Sequence, residues 1–428
     1  MRGLKQTNPR RRISRRKTSQ NPGQNRIRTD NNKPVGASGS AAMKPIFYEF
    51  FAGGGMARAG LEPEWQCVFA NDFDPKKGAS YIANWGEQEF HLGDIHDLTP
   101  ADLPPGKADL AWASFPCQDL SLAGNGKGLD GERSGAFWGF HDVIHALKVR
   151  RRAPTLLVLE NVGGAVTSKD GRDFEALCRT LKNLGYVYGA LILDAVHFIP
   201  QSRPRLFIVA LRSNLDHAAR SFIDGPSPLW TTDALKRSYG RLRPDLRQAW
   251  RWWRLPSPPI RNIGLADLII DNPTDVEWHS EAETRRLLSL MSPSNRAKVR
   301  AAKREGHKIV GTIYKRTRRD EDGNKVQRAE VRFDDISGCL RTPGGGSSRQ
   351  TVIVVDRERI RTRLLSAREA ARLMGLPDTY ELPLRYNDAY HLTGDGLAVP
   401  VVRHLAGYLL SPIIETISQM KTSLIAAE

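Results

Sequence analysis

Cys117 follows a proline in Ser114-Phe115-Pro116-Cys117-Gln118, directly after Asp109-Leu110-Ala111-Trp112-Ala113, a run with strand character. A polar stretch with glycines at 124, 126, 128, 131 and 135 comes next. A thiol at the end of a buried strand and the root of a Gly-rich loop is held rigidly, can be reached by substrate and can be covered by a lid. Free cysteines are most often small core residues, so the company of Cys117 must decide whether it is a nucleophile. Glu160 ends the apolar run Thr155-Leu156-Leu157-Val158-Leu159. Partial desolvation there raises a carboxyl pKa and lets the group hold a proton at neutral pH. Arg203 and Arg205 bracket Pro204 at the entrance to a strand, Leu206–Leu211. They are either a surface pair on an edge strand or two offset donor forks at a site.

A second group of residues points to a cofactor. Ile46 to Phe51 reads as a strand, Ala52-Gly53-Gly54-Gly55 as a tight turn, and Met56 to Glu62 as the start of a helix. Glycine lets a ligand approach the backbone, and a helix N-terminus favours polar or negative groups. The next strand, Cys67–Ala70, ends in Asn71-Asp72-Phe73-Asp74. An acid ~20 residues after the glycines is placed to accept hydrogen bonds from ribose hydroxyls, and Phe73 can stack on an adenine. A third element ends in Gly93-Asp94-Ile95. The GxGxxG spacing of dinucleotide folds and a Walker lysine are both absent. A nucleoside cofactor without a pyrophosphate fits better, and S-adenosylmethionine is the leading candidate.

The elements around these residues alternate strand and helix from Pro45 to Arg212. They predict an α/β fold with a mostly parallel, Rossmann-like sheet flanked by helices. The length, 428 residues, suggests two or three domains. No apolar run reaches the roughly 18 residues of a membrane span, so no membrane partner is expected. The four cysteines lack CxxC spacing, which disfavours a metal site and suits a reducing compartment. The net charge is +17 and is unevenly distributed. Residues 1–43 hold 11 Lys/Arg and one acid, a net of +10, and residues 213–340 hold 24 basic and 17 acidic residues, a net of +7. The rest sums to zero, which reads as a neutral body with a basic tail and a basic insert facing a polyanion. Residues 1–43 are too polar to bury a core and should be disordered. In the insert, Trp250, Trp252 and Trp253 interleave with Arg247, Arg251 and Arg254. That pattern suits either phosphate contact with base stacking or an aromatic cluster under snorkelling arginines. Arg316 to Arg319 is followed by Asp322-Gly323-Asn324, which predicts a hairpin tip. Ser366 with Glu369 forms a capping box.

These pieces, in this order, resemble the DNA cytosine-5 methyltransferases. Phe51-Ala52-Gly53-Gly54-Gly55 is similar to the family's cofactor loop. Asp72-Phe73 and Asp94-Ile95 match its ribose- and adenine-contacting positions. Phe115-Pro116-Cys117-Gln118 is similar to its nucleophile motif. Glu160-Asn161-Val162 and Gln201-Ser202-Arg203-Pro204-Arg205 match its base-handling motifs. Arg363 to Tyr380 and Gly394-Asp395-Gly396-Leu397 resemble its last two. The final motif departs from the usual Gly-Asn at Asp395, and Cys339-Leu340 stands where Thr-Leu is common.

The resemblance implies that Cys117, Glu160, Arg203 and Arg205 are catalytic. It implies cofactor contacts from Phe51, Ala52, Gly53, Gly54, Gly55, Asp72, Phe73, Asp94, Ile95, Pro116, Asp395 and Leu397. It also implies S-adenosylmethionine as cofactor and double-stranded DNA as partner, with the cytosine flipped out under a lid at 119–135 and Arg133 on a phosphate. The expected organisation is a tail at 1–43, a catalytic part at 44–212, a target-recognition domain at 213–350 and a catalytic part at 351–428 that returns to the sheet. A cytoplasmic, nucleoid-associated bacterial or phage-encoded enzyme, monomeric on DNA and paired with a cognate restriction endonuclease, is the expected setting. A tRNA cytosine-5 methyltransferase and a catalytically silent DNA-binding regulator are the alternatives. The large insert disfavours the first and the intact Cys117, Glu160, Arg203 and Arg205 the second.

Overall fold

The computed structural model describes residues 43–116, 135–218, 221–342 and 349–425. Cys117, Gln118, Arg133 and most of the expected lid and tail lie outside the described residues. Seven strands form the main sheet: β1 (Ile46–Phe50), β2 (Gln66–Asp72), β3 (Phe90–Leu92), β4 (Leu110–Ala113), β5 (Leu156–Val162), β6 (Tyr186–Asp194) and β7 (Pro204–Arg212). Their order is β3-β2-β1-β4-β5-β7-β6. All neighbours are parallel except β7, which runs antiparallel to both β5 and β6.

The alternation of side chains along each strand feeds two cores. Phe47, Trp112 and Val158 point to one face, where they meet Met56, Leu61, Val402 and Leu405. Tyr48, Phe50, Ala111, Ala113, Leu157 and Leu159 point to the other, where they meet Phe140, Leu147, Phe174 and Leu181. Helices α1 (Met56–Leu61) and Val399–Leu405 therefore cover one side, and α3 (Ala136–Val149) and α4 (Arg172–Asn183) the other. Helix α2 (Pro75–Trp85) begins at Asp74, whose side chain caps it, with proline at its first position. Burial on both faces explains why β4 and β5 read as continuous apolar runs. The helical run Tyr386–Ser423 is long and apolar enough to cross a membrane, but most of its apolar stretch is buried inside the protein as core.

The tryptophan-rich stretch resolves to packing. Trp230, Trp250 and Trp253 are buried. The chain there closes the outer edge of β6: Tyr188 donates to the Ala249 carbonyl at 2.9 Å, and Arg251 donates to the Tyr188 carbonyl at 2.7 Å. A short ladder of β8 (Phe222–Ile223) and β9 (Trp252–Trp253) continues this cover. An edge strand left open would offer unpaired backbone groups. Here Trp253 caps β7 by donating to the Val209 carbonyl. Arg251 pairs with Asp216, so this part of the insert packs against the main sheet.

A second sheet is wholly antiparallel: β10 (Lys308–Arg319), β11 (Lys325–Arg332), β12 (Thr351–Asp356) and β13 (Arg359–Leu364), in the order β11-β10-β12-β13. The hairpin tip falls where its residues predict, with Arg319 opposite Lys325 and Gly323 at φ +81°. The strand at Val352–Val355, expected to rejoin the main sheet, lies here instead. The C-terminal stretch returns to the main-sheet core through helices, and the four-stranded sheet straddles the expected boundary at 350/351. The apolar composition of β12 is the same for a strand buried in either sheet, so periodicity alone cannot tell them apart.

Candidate active site

The strand order reverses at β1 and β4, and loops there open a crevice at the C-terminal edge of a parallel sheet. Both key loops start at this point: Phe51–Gly55 leaves β1, and Ser114-Phe115-Pro116 leaves β4. Phe51 itself adopts φ +58°, a conformation that costs a bulky residue energy and is held only where its surroundings fix it. Gly53 and Gly55 are left-handed as well. A Cβ on Gly53 would meet nothing within 4 Å, so that backbone faces open space. A Cβ on Gly54 would strike the Tyr380 hydroxyl. That hydroxyl and the Trp85 indole both donate to the Gly54 carbonyl, at 2.7 and 3.1 Å.

Around the open glycine face stand the other expected cofactor residues. One Asp72 carboxylate oxygen accepts from Gly53 N at 2.8 Å and the other from Asp74 N at 2.9 Å. Burial pushes this carboxyl above its ordinary range, opposed by those backbone donors and by Lys77. Phe73 beside it is 66% exposed, unusual for so large an apolar side chain unless something covers it. Asp94 is exposed and accepts from His96 N, while Ile95 is buried below it. Ala52 and Leu397 are buried and Pro116 is half-buried. An exposed ring, an acid with spare lone pairs and an open glycine backbone at adjoining strand ends suit an adenine, a ribose and a small zwitterion, so these residues fit S-adenosylmethionine. Asp395 is otherwise engaged: it pairs with Lys77 at 2.9 Å and accepts from the Thr342 hydroxyl.

The acid and the arginines come from β5 and β7. Glu160 lies opposite Phe207. Arg205, two residues before Phe207, therefore shares its face and sits diagonal to Glu160. Arg205 Nε lies 3.3 Å from Glu160 Oε1. Burial raises the Glu160 carboxyl above its ordinary value, and Arg205, Arg203 and the Ser114 hydroxyl oppose the rise. Asn161 ties this strand to the loop after β4 by donating to the Phe115 carbonyl at 3.3 Å. The backbone one residue before Pro116 is thus fixed to the residue after Glu160.

Arg203 is used differently from its partner. Its guanidinium donates to the carbonyls of Leu340, Gly394 and Gly396 at 2.9, 2.9 and 2.6 Å. It binds the start of β7, the 339–342 segment and the Gly394–Leu397 turn into one block. Gln201 reinforces this by accepting from Leu340 N and donating to the Leu373 carbonyl. Arg203, Arg205, Leu193, Phe207, Leu397 and Ala398 line one small pocket.

Cys339 is the residue whose place the sequence left open. Its sulfur lies 3.5 Å from Arg203 Nη1 and 4.0 Å from Arg205 Nη2. Burial pushes the thiol up, but Arg203, Arg205 and Arg341 outweigh it and hold the group below its ordinary value. Only its departure from the Thr-Leu pattern marked it. Cys67 and Cys178 are buried, and burial raises both thiols, Cys67 to about 12. Neither suits a nucleophile, for which the thiolate is required.

The sequence profile of the C-5 cytosine-specific DNA methylases matches residues 46–411. The chain is 26% identical over 376 residues to the type II methyltransferase M.HaeII of Haemophilus aegyptius, covering 85% of this chain and 92% of that protein. It is 26% identical over 364 residues to M.HhaI of Haemophilus parahaemolyticus, covering 84% and 92%. Among solved structures it resembles the Dnmt2 methyltransferase of S. pombe, with a TM-score of 0.54 at 20% identity over 86% of this chain and 99% of that one. A putative DNA modification methyltransferase encoded within an E. coli prophage gives 0.51 at 14% identity, covering 88% of this chain and all of that one. These two likenesses show the fold.

Proposed function

The chain belongs to the C-5 cytosine-specific DNA methylase family, and from that premise we propose that Cys117, Glu160 and Arg205 act together on one flipped cytosine, with Arg203 as the residue that positions them. The family acts on DNA by S-adenosylmethionine-dependent methylation. The observation that carries the reading is the Glu160–Arg205 pair: a buried carboxyl, raised above its ordinary value by burial, beside a guanidinium and next to the loop that leads to Pro116.

Carbon 5 of cytosine is a poor nucleophile. Addition of the Cys117 thiolate to carbon 6 converts the ring to an enamine with electron density at carbon 5. The addition places negative charge on the ring. Glu160 meets it with a proton at N3, and Arg205 meets it with a donor at O2. The cofactor, when bound, supplies an electrophilic methyl group. Phe51 to Gly55, Asp72, Phe73, Asp94, Ile95, Pro116 and Leu397 are the residues that would hold it, and Asp395 acts through Lys77. Once carbon 5 is methylated, a base takes the carbon 5 proton, those electrons form the carbon 5–carbon 6 double bond as the thiolate leaves carbon 6, and N3 returns its proton to Glu160. This chemistry is impossible inside a stacked duplex, so the target base must be extruded.

Domain roles follow: 44–212 with the C-terminal helices for catalysis, and the second sheet with its helices for target recognition. We further infer a bacterial or phage enzyme acting as a monomer on chromosomal DNA in the cytoplasm, with a cognate endonuclease as candidate partner. Purified protein with tritiated cofactor should label duplex DNA and leave tRNA unlabelled. Cys117→Ala should lose the label while retaining DNA binding. Label in tRNA alone, or undiminished label in the variant, would overturn the assignment.

A further inference from the structure

The β10–β11 hairpin outruns its sheet. β12 supports β10 only along Lys308–Ile313, whereas β11 pairs with it from Thr312 to Arg319. Beyond Lys315 and Ala329, where Met291 bridges β11, the hairpin is a two-stranded ribbon, and Lys315, Arg316, Thr317, Arg318, Arg319, Lys325, Gln327 and Arg328 are exposed. Its two faces differ. Ile313, Ala329 and Val331 point to the small core under the helices Glu281–Ser289 and Pro293–Arg304. Val310 points the opposite way, to the catalytic core, together with Val352 and Val354. By strand alternation Tyr314, Arg316, Arg318, Arg328 and Glu330 continue that second, catalytic-side face. At its root the Tyr314 hydroxyl donates to the Cys339 carbonyl, and the Cys339 sulfur contacts Arg205. The ribbon therefore grows out of the wall that holds the base-handling arginine.

On this face Glu330 takes Arg316 Nε at 3.2 Å and receives Arg318 through Nε and Nη2, at 2.7 and 2.5 Å. One carboxylate fixes two guanidinium planes and leaves Arg318 Nη1 pointing away from it. Arg328, directly opposite Arg316, has no side-chain partner among the described residues. Arginine forks on a narrow ribbon match the O6 and N7 acceptors of guanine in a groove about 12 Å wide.

Resting on the function proposed above, we propose that this ribbon enters the major groove beside the extruded cytosine and reads guanine through Arg318 and Arg328, with Glu330 orienting Arg316 and Arg318. Four residues separate Tyr314 from Arg318, a reach of about 13 Å at ~3.3 Å per residue. At roughly 3.4 Å per base pair, the guanines read lie within about four base pairs of the methylated cytosine.

Bisulfite sequencing of DNA from cells expressing the chain gives the site, and the same experiment on Arg318→Gln, Arg328→Gln and Glu330→Gln tests the readers. The wild-type site should contain guanine in that window. Arg318→Gln and Arg328→Gln should each relax a guanine position, with discrimination falling about tenfold to a hundredfold. Glu330→Gln should relax the Arg318 position while DNA binding persists. Arg328 is exposed and unpartnered among the described residues, so its variant folds, which a melting curve verifies. Thr317→Ala, on the opposite face, should leave the site unchanged. A site without guanine in the window, unrelaxed arginine variants, or a site altered by Thr317→Ala would each overturn the proposal. Wild-type protein that methylates no duplex DNA would overturn the underlying reading with it.

Discussion

The proposed role of Glu160, proton delivery to a ring nitrogen, asks for burial that raises the carboxyl and for a neighbour that limits the rise. Its position supplies both, since burial raises the carboxyl while Arg205 at 3.3 Å limits the rise. Glu160→Gln keeps the shape and removes the transferable proton, so kcat should fall roughly 10²- to 10⁴-fold. On the proposed mechanism the active form is the protonated acid, so the wild-type rate should decline as pH rises through the Glu160 pKa. Single-turnover rates across pH check both, and the variant's alkaline limb should be flat. Glu49 makes a separate prediction about stability. It is 2% exposed, one oxygen has no hydrogen-bond partner, and burial pushes its carboxyl up to about 8 despite the amide of Arg58. The folded state therefore holds a proton that the unfolded chain releases near pH 4.5. The stability this confers is full below about pH 4.5 and is lost as pH rises towards 8. Glu49→Gln should abolish that loss and gain on the order of a few kcal/mol over wild type at alkaline pH, as urea midpoints at pH 5 and pH 8 would reveal. Glu160 was legible because it ends an apolar run. Glu49 was not, because only the fold brings the Arg58 amide to it and seals it from water.

Among the elements, the approach to β7 ties distant segments together. Its Gln201, Arg203 and Arg205 read as one motif, yet Gln201 and Arg203 bind backbone carbonyls of distant segments and Arg205 turns to Glu160. Sequence spacing sets them on one strand entrance but cannot say which guanidinium is committed to the fold, because the carbonyls come from positions 340, 394 and 396. Arg203→Lys retains the charge and loses the planar fork. It should destabilise the protein by about 3 kcal/mol and weaken cofactor affinity, since Leu397 follows the turn that Arg203 anchors; denaturant midpoints and cofactor titration measure the two effects. The strand and helix alternation of 45–212 was readable from periodicity, as were the Ser366–Glu369 capping box and the hairpin tip. The assignment of β12 was not, since an apolar strand looks alike in any sheet. The tryptophans were ambiguous for a related reason: composition does not say whether an arginine beside an indole faces a phosphate or, like Arg251, an aspartate.

At the scale of the whole molecule, charge separates a neutral body from two basic segments. The net +17 arises from residues 1–43 and 213–340, while the remainder is neutral. The second sheet uses part of its share on the catalytic-side face of the ribbon, close to Arg205. The tail carries +10 and none of the residues that form the candidate site. Its contribution should therefore be electrostatic and independent of sequence. Each phosphate contact adds about −0.9 to the slope of log K against log salt. A chain beginning at Met43 should bind duplex DNA with a slope shallower by several such increments, lose affinity chiefly at low salt, and keep its recognition site and its turnover at saturating DNA. Filter binding between 50 and 200 mM salt resolves the difference, because the full-length and shortened chains should converge as screening increases. Slopes that coincide would mean that the tail makes no contact with DNA and that the basic insert alone supplies the attraction.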